Sequence, residues 1–301
     1  MSFFITRFIQ SKCFLSSVAE EPDDSSPYLL HELATILTSV VEACPGLLPA
    51  LYRLANVHFM SDNLRAASTT LHHVIDHVDP TFIDAYLLMA RIGIKSSNPS
   101  QAAQYLELGL SYNFKIRDHP LYHLLNAHIQ RSRKENEAAL SSLEVSMNLI
   151  GMRPSSTAAK RSKIQLSRSD RADLYLQLFH VLMALGKKEQ AGEVIRDALD
   201  EMRGSSQEGL LLLAQVDYLL DNDDVDGALQ QLKSLPRSHW QYMKAHEKMA
   251  DIYLNRLKDE QLYLNCYREI ARQEPTLDNL MLLGDAYLAL HQVLNDFNQL
   301  E

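Results

Sequence analysis

Residues 172–199, ADLYLQLFHVLMALGKKEQAGEVIRDAL, contain two apolar stripes separated by a charged turn. The first stripe consists of Leu174, Leu178, Val181 and Leu182, and the second of Ala191, Val194, Ile195, Ala198 and Leu199. Each stripe recurs at helical spacing, and the turn between them begins at Gly186. Neither helix can bury its stripe alone, so the pattern predicts two helices folded on each other and on a neighbouring pair.

The same layout recurs along most of the chain. The small or tightly packed residue of each first helix precedes a partner in the second helix: Ala55 and Ala67, Ala90 and Ala102, Ala127 and Ala139, Phe179 and Ala191, Ala214 and Ala228, Ala250 and Leu262, then Gly284 with no partner. Asn126 and Ala138 are an alternative register for the third unit. Successive first-helix positions are 35 (55 to 90), 37 (90 to 127), 52 (127 to 179), 35 (179 to 214), 36 (214 to 250) and 34 (250 to 284) residues apart. A period near 34 resembles the tetratricopeptide repeat (TPR), and predicts an all-α TPR α-solenoid of helix-turn-helix repeats.

Five segments follow from this alignment. We expect a flexible leader at 1–27, a helix packed on the first repeat at 28–46, and a first TPR block of about three repeats at 48–149. A basic, Ser-rich insertion at 150–170 accounts for the long step, and 171–301 holds about three more repeats and a truncated last one. The leader resembles a mitochondrial presequence or a loosely packed start. The insertion suits a solvated linker or a docking or phosphorylation segment, and it predicts a flexible joint between two blocks.

The composition argues against several classes of partner. A net charge of −9 argues against nucleic acid, and no apolar run reaches the length of a membrane span. The three cysteines, Cys13, Cys44 and Cys266, form no CxxC pair, which fits a reducing compartment. No phosphate-binding loop or nucleophile elbow occurs, so we expect no enzyme activity, cofactor or small-molecule substrate.

Two groups of residues resemble parts of metal sites. The acidic turn at 221–227, DNDDVDG, resembles the start of a calcium loop, but Lys233 stands where a bidentate glutamate is needed. His73 and His77 lie four residues apart on one helix, without a third ligand at a defined spacing. We therefore predict a helix-helix turn and surface histidines, and no metal site.

The candidate partner-binding surface follows from the architecture, because the first helices of a TPR array line its concave face. By phase, nine residues should face it: Tyr52, Asn56, Phe59, Leu176, His180, Met183, Glu247, Asp251 and Asn255. Their mixture of aromatic, polar and acidic groups favours a protein partner. The lysine of a chaperone-tail carboxylate clamp is missing, since Tyr52, Leu176 and Glu247 occupy the equivalent positions.

Several stretches resemble a particular family. PALYRLANVHF, DAYLLMARI, ALSSLEVSMNLIGMRP, RSDRADLYLQLFHVL and HEKMADIYL are similar to the tetratricopeptide repeat protein 21 family, over residues 28–291, with the B type preferred. The resemblance implies a non-catalytic scaffold in intraflagellar transport complex A, with the other complex subunits as partners. It also implies a role in retrograde transport and in the localisation of ciliary proteins. The location that it implies is the cytoplasm, the cilium and the ciliary base. The alternative is a generic TPR adaptor in a ubiquitin-ligase or chaperone-type assembly.

The chain departs from that family at both ends, which suggests a fragment or a shortened splice form. The last helix carries Leu280, Leu283, Tyr287 and Leu290 without a following partner helix. Because large side chains gain about 1.5–3 kcal/mol each on burial, we expect this helix to fray. Amide exchange at 280–290 should then be faster than at 174–182.

Overall fold

The computed structural model describes residues 26–151, 166–237 and 239–298, and every regular element in those ranges is helical. The α-helices are α1 Ser26–Ala43, α2 Leu48–Met60, α3 Leu64–His73, α4 Ile83–Lys95, α5 Pro99–Tyr112, α6 Pro120–Ser132, α7 Asn136–Ile150, α8 Arg168–Ala184, α9 Lys188–Met202, α10 Glu208–Asp221, α11 Val225–Ser234, α12 Tyr242–Asn255, α13 Glu260–Gln273 and α14 Leu277–Asn298. A π-helical turn, Val74–Val78, extends α3, and a 3-10 helix, Phe114–Asp118, follows α5.

Consecutive helices pack in pairs. The pairs are α2 with α3, α4 with α5, α6 with α7, α10 with α11, and α12 with α13. Buried residues of α3, α5 and α11 each share a cluster with the first helix of their own repeat and with that of the following repeat, so these repeats complete one another's cores. The predicted all-α TPR architecture is confirmed.

The turn inside each repeat contains one residue in the left-handed region. These residues are Asp62, Ser97, Lys134, Gly186, Asp223 and Lys258, with φ between 56° and 74°. They are 35 (62 to 97), 37 (97 to 134), 52 (134 to 186), 37 (186 to 223) and 35 (223 to 258) residues apart. The longest step in this series, 52 residues, lies between the third and fourth repeats, as it does in the sequence alignment. The backbone therefore repeats the predicted period, with one insertion.

The predicted alanine positions lie where the paired helices cross. The fourth residue of α3, α5, α7, α9 and α11 is a buried alanine: Ala67, Ala102, Ala139, Ala191 and Ala228. Ala138 is exposed, so the alternative register of the third repeat is wrong. At the crossing of α4 and α5 a Cβ added to Gly93 would lie 2.9 Å from the backbone nitrogen of Ala102. This contact explains why small residues are needed there.

The sixth repeat departs from the predicted pairing of Ala250 with Leu262. Leu262 is 40% exposed, and the fourth residue of α13 is Tyr263, which is buried. The turn is one residue longer than in the alignment, because α13 begins only after Asp259, whose side chain accepts a hydrogen bond from the Leu262 backbone nitrogen at 2.9 Å. A tyrosine therefore takes the place that alanine holds in the other repeats.

The structure forms two compact units, Met1–Val194 and Ile195–Glu301, and the boundary falls inside α9. This differs from the predicted division at 150–170. Helix α8 packs against α6 and α7, so Leu174 and Leu178 are buried by the third repeat, and α8 begins at Arg168 within the predicted insertion. Residues 152–165 of the insertion and 1–25 of the leader lie outside the described residues.

The two terminal helices differ in how well they are covered. In α1, Leu33 and Leu37 pack in one cluster with Leu54 and Val57 of α2. The last helix, α14, continues to Asn298. Of its four predicted unpartnered residues, Leu280 and Tyr287 are exposed, Leu283 is half-buried and Leu290 is buried. The prediction was wrong for Leu290, which packs in the core of the second unit.

Candidate functional site

The nine predicted face residues lie on three first helices, with different exposure. On α2, Tyr52, Asn56 and Phe59 are all half-buried. On α8, Leu176 and Met183 are half-buried and His180 is exposed, with its ring 5.4 Å from that of Phe179. On α12, Glu247 is half-buried, and Asp251 and Asn255 are exposed.

The α2 residues are occupied by contacts within the first unit. The Tyr52 ring meets Phe82 edge-to-face, with centroids 5.3 Å apart, and its hydroxyl hydrogen-bonds with the side chain of Asn56. Burial, with a smaller effect from the charge of Asp84, raises the pKa of Tyr52 to about 12. The Phe59 ring lies beneath the ammonium group of Lys95, at 5.1 Å. Favourable cation-aromatic contacts of this kind hold α2 against α4.

Across the same face, an ion pair joins two distant repeats. Nη2 of Arg91 on α4 bonds to Oδ1 of Asp170 at the start of α8, across 79 positions of sequence. The Asp170 side chain is 9% exposed and that of Arg91 is 31% exposed. Ser167 caps α8, because its hydroxyl accepts from the Asp170 backbone nitrogen at 3.1 Å and donates to Asp170 Oδ2 at 2.7 Å. We call the Arg91-Asp170 pair the α4-α8 clamp.

A second polar contact supports the clamp one turn further along α8. Nε2 of His128 on α6 lies 2.7 Å from Oδ2 of Asp173, and Gln177 donates to Oδ1 of Asp173 at 3.0 Å. Burial pushes the pKa of Asp173 up, but these hydrogen bonds and the charges of His128 and Arg91 outweigh it and leave the pKa below its usual value. Polar and charged side chains thereby join the first helices of repeats two, three and four.

A third pair of titratable groups faces the clamp. Burial raises the pKa of Asp84 on α4, and burial lowers the pKa of His119, which caps α6. The charge of each group partly offsets the shift of the other. His119 caps through Nδ1, which accepts a hydrogen bond from the Leu121 backbone nitrogen at 3.2 Å. Neutral His119 can accept this bond, whereas protonated His119 cannot.

The α12 residues form a more open acidic surface. The Asn255 amide donates to Asp251 Oδ1, four residues earlier on the same helix face. Burial raises the pKa of Tyr267 to about 12, with further contributions from Tyr263 and from the charge of Glu247. Within the second unit, Glu247 and Asp251 therefore present negative charge, with Asn255 bonded to Asp251, beside buried Tyr263 and half-buried Tyr267. We call these three residues the α12 acidic face.

The residues that occupy the first unit's face are not evident from sequence spacing. Arg91, His128, Asp170 and Asp173 carry no mutual spacing that signals a contact, because they belong to three different repeats. One local signal was present: Ser167 three residues before Asp170 is the pattern of a helix N-terminus. It would have placed the start of α8 inside the segment predicted as an insertion.

The acidic turn at 221–227 and the pair His73 and His77 both lie among the described residues. The acidic turn is the connection between α10 and α11, where Asp224 Oδ1 accepts from the Gly227 backbone nitrogen at 2.9 Å and caps α11. The rings of His73 and His77 lie 5.3 Å apart. Over the described ranges, no cluster of three metal-ligating side chains occurs, and no helix combines the length and apolarity needed to cross a bilayer.

Two family models match the chain. The tetratricopeptide repeat protein 21 ARM repeat matches residues 114–270, and the second ARM domain of the same family matches residues 4–97. Together they cover the repeats on both sides of the insertion. Although these descriptions use the term ARM repeat, the helices that we describe pack in pairs of the TPR kind.

Curated relatives agree with the family models. Human tetratricopeptide repeat protein 21B is 37% identical over 262 residues, and human 21A is 36% identical over 262 residues. The matches cover 86% and 87% of this chain but 20% of each relative, so the chain spans about a fifth of their length. The two identities differ too little to choose between the paralogues. Among solved structures, a human IFIT1 dimer superposes with a TM-score of 0.59 at 12% identity, covering 90% of this chain and 67% of that one, which supports the fold alone.

Proposed function

This chain belongs to the tetratricopeptide repeat protein 21 family, and we propose that it is a non-catalytic scaffold segment that binds other subunits of intraflagellar transport complex A. The family match over most of the chain carries this proposal. Stacked helix pairs expose long, rigid faces, which suit the binding of proteins more than the conversion of substrates. The ciliary context comes from the family resemblance, and includes retrograde transport and a location in the cytoplasm, the cilium and the ciliary base.

The α12 acidic face is the surface that we assign to this partner. The α2 residues already have intramolecular contacts through Phe82, Lys95 and neighbouring side chains. In contrast, Asp251 and Asn255 are exposed on α12, and the negative charge of Asp251 and Glu247 favours a basic surface on the partner. Charge at such a rim affects the association rate and the choice of partner more than the total affinity.

Affinity purification of the 301-residue chain from ciliated cells, followed by mass spectrometry, tests the proposal. We expect complex A subunits to co-purify with the chain. The double substitution Glu247→Lys and Asp251→Lys should reduce their recovery, because it reverses the charge of the α12 acidic face. Glu107→Lys with Glu193→Lys, an equal change of charge at exposed positions of two second helices, is the matched control and should leave recovery unchanged.

Two outcomes would contradict the proposal at different levels. Recovery of ubiquitin-ligase or chaperone components without ciliary proteins would show that the chain binds partners other than complex A subunits. That result would favour a generic adaptor. If the Glu247→Lys, Asp251→Lys variant recovers complex A subunits normally, the scaffold role would still hold. The α12 acidic face would then not be the binding surface. Equal loss in the Glu107→Lys, Glu193→Lys control would show that the effect is one of net charge.

A further inference from the structure

The second helix of the fifth repeat is unusually short. Helices α5, α7, α9 and α13 have 14, 15, 15 and 14 residues, whereas α11 has 10. Helix α3 also has 10, but the π-helical turn Val74–Val78 prolongs it. Helix α11 has no such extension, because Pro236 follows Leu235, which is extended at φ −69° and ψ 124°. The missing four residues correspond to about one helical turn.

The segment that follows α11 is held away from the space left by this missing turn. The indole Nε1 of Trp240 donates to the carbonyl oxygen of Ser206 at 2.9 Å, just before α10. The ring of His239 packs against Gly209, where an added Cβ would lie 2.2 Å from Cε1 of the ring. Both contacts fix the segment to the start of α10. It therefore leaves part of the α11, α12 and α13 surface uncovered.

An open cleft of about 380 Å³ lies at this place. Its apolar wall includes Leu232, Leu235, Tyr242, Met249 and Leu262. We call it the α11 cleft. Leu262 is 40% exposed, so one wall is accessible to a partner. The volume is within the usual range for ligand sites, and a large side chain with its adjoining backbone can occupy such a space.

The charge around the α11 cleft is opposite to that of the chain as a whole. Lys233 and Arg237 line it and are exposed, and neither forms an ion pair with any residue that the structure describes. Glu269 is the acidic residue of the lining, and its Oε2 lies 3.3 Å from Nε2 of His246 on the cleft wall. Lys233 Nζ also lies 5.9 Å from the centroid of the Tyr253 ring on the cleft wall. Since Lys233 and Arg237 are still exposed, the two cations can pair with acidic groups of a partner, in a protein with a net charge of −9. Charge complementarity favours an acidic partner.

From the apolar wall and the basic rim, we propose that the α11 cleft binds a partner peptide in which one large apolar side chain is flanked by acidic residues. The apolar side chain occupies the space of the missing helical turn, and the acidic residues pair with Lys233 and Arg237. This pattern of a buried anchor with a charged rim is common in peptide recognition. The site is separate from the α12 acidic face and requires a partner of opposite charge.

Peptide display on the 301-residue chain, with 12-residue random peptides, tests the proposal. We expect the selected peptides to share a Leu, Met, Phe or Trp with Asp or Glu on either side. A fluorescent copy of the strongest peptide should bind at least tenfold more weakly to the Lys233→Glu, Arg237→Glu variant. Leu262→Trp, which fills the cleft from an exposed position, should weaken binding to a similar extent.

The control variant carries Arg203→Glu and Lys244→Glu, an equal change of charge at two exposed residues outside the cleft. It should bind the peptide with at most a twofold change, and circular dichroism should show that all variants keep their helical content. Selected peptides without acidic residues would overturn the proposal, as would equal binding by the wild type and the Leu262→Trp variant. Saturable binding of dodecanoate in the cleft, with no peptide selected, would assign it to a fatty acid instead.

Discussion

Breaking the α4-α8 clamp should loosen α8 from the preceding repeats. Asp170→Asn keeps the shape of the side chain and its acceptor for Ser167 but removes the charge that pairs with Arg91. Breaking a buried pair costs about 3–5 kcal/mol, and an exposed pair contributes about 0–1 kcal/mol. Because the Arg91 side chain is 31% exposed and that of Asp170 only 9%, we expect an intermediate loss of about 2 kcal/mol.

The reciprocal change should cost more. Arg91→Met retains the aliphatic stem near the Phe59 ring but leaves the Asp170 carboxylate unpaired in its more buried position. An uncompensated buried charge is less favourable than an uncompensated charge near solvent, so we expect a loss of about 3 kcal/mol. The double variant should lose about 1–2 kcal/mol less than the sum of the two single changes.

Urea unfolding followed by circular dichroism measures these losses, and hydrogen exchange locates them. Repeat arrays unfold by segments, so faster exchange should be concentrated in α8, residues 168–184. Arg203→Met is the control, since the Arg203-Asp200 pair is 77% and 73% exposed and should contribute little. Additive effects of Arg91→Met and Asp170→Asn, or unchanged exchange in α8, would refute the reasoning.

Three further predictions concern single positions. Lys134→Gly should raise the free energy of unfolding by about 1 kcal/mol, since Lys134 has φ 64°, and Lys134→Ala should give no gain in thermal unfolding. His119 has a lowered pKa, so its neutral form stabilises the fold above about pH 6.5, and this contribution is lost as the pH falls through the folded-state pKa. His119→Asn keeps the cap without titrating, and urea midpoints between pH 7 and 5 should then fall less than in the wild type, whereas an equal fall would assign the effect to other groups. Gly209→Ala should destabilise by about 1–3 kcal/mol because its Cβ overlaps the His239 ring, and His239→Ala should recover part of that loss in a double-mutant cycle. A gain in stability from Gly209→Ala alone would contradict the contact.

The period of the array was predictable from the sequence because it depends on local steric needs. A small residue is required wherever two paired helices cross closely, so alanines at a constant offset mark the repeats. The exception shows the limit of the method. At Ala250 the same offset leads to Leu262, but a turn longer by one residue moves the crossing to Tyr263. No local pattern signals that change.

Contacts between repeats were not predictable in the same way. Arg91 and Asp170 are 79 positions apart, and their pairing depends on how three repeats stack on one another. The sequence predicts that Tyr52, Asn56 and Phe59 on α2 contact a partner. The structure shows them in contact with residues of their own unit. The assignment of the nine residues to a partner stays a prediction. It is tested most directly on α12, where the side chains are open.

The most distinctive polar contacts of the chain lie where the structure departs from a regular repeat. A regular TPR unit uses apolar and small residues whose role is to pack, so its period says little about recognition. The segment before α8 breaks the period, and there Ser167 and Asp170 cap a helix that also pairs with Arg91 of α4. Pro236 ends α11 early without changing the period, and there the short helix leaves an open cleft beside two exposed cations. Since charged side chains lie beside both irregularities, substitutions there should alter contacts between helices or with partners, while leaving the period of the array intact.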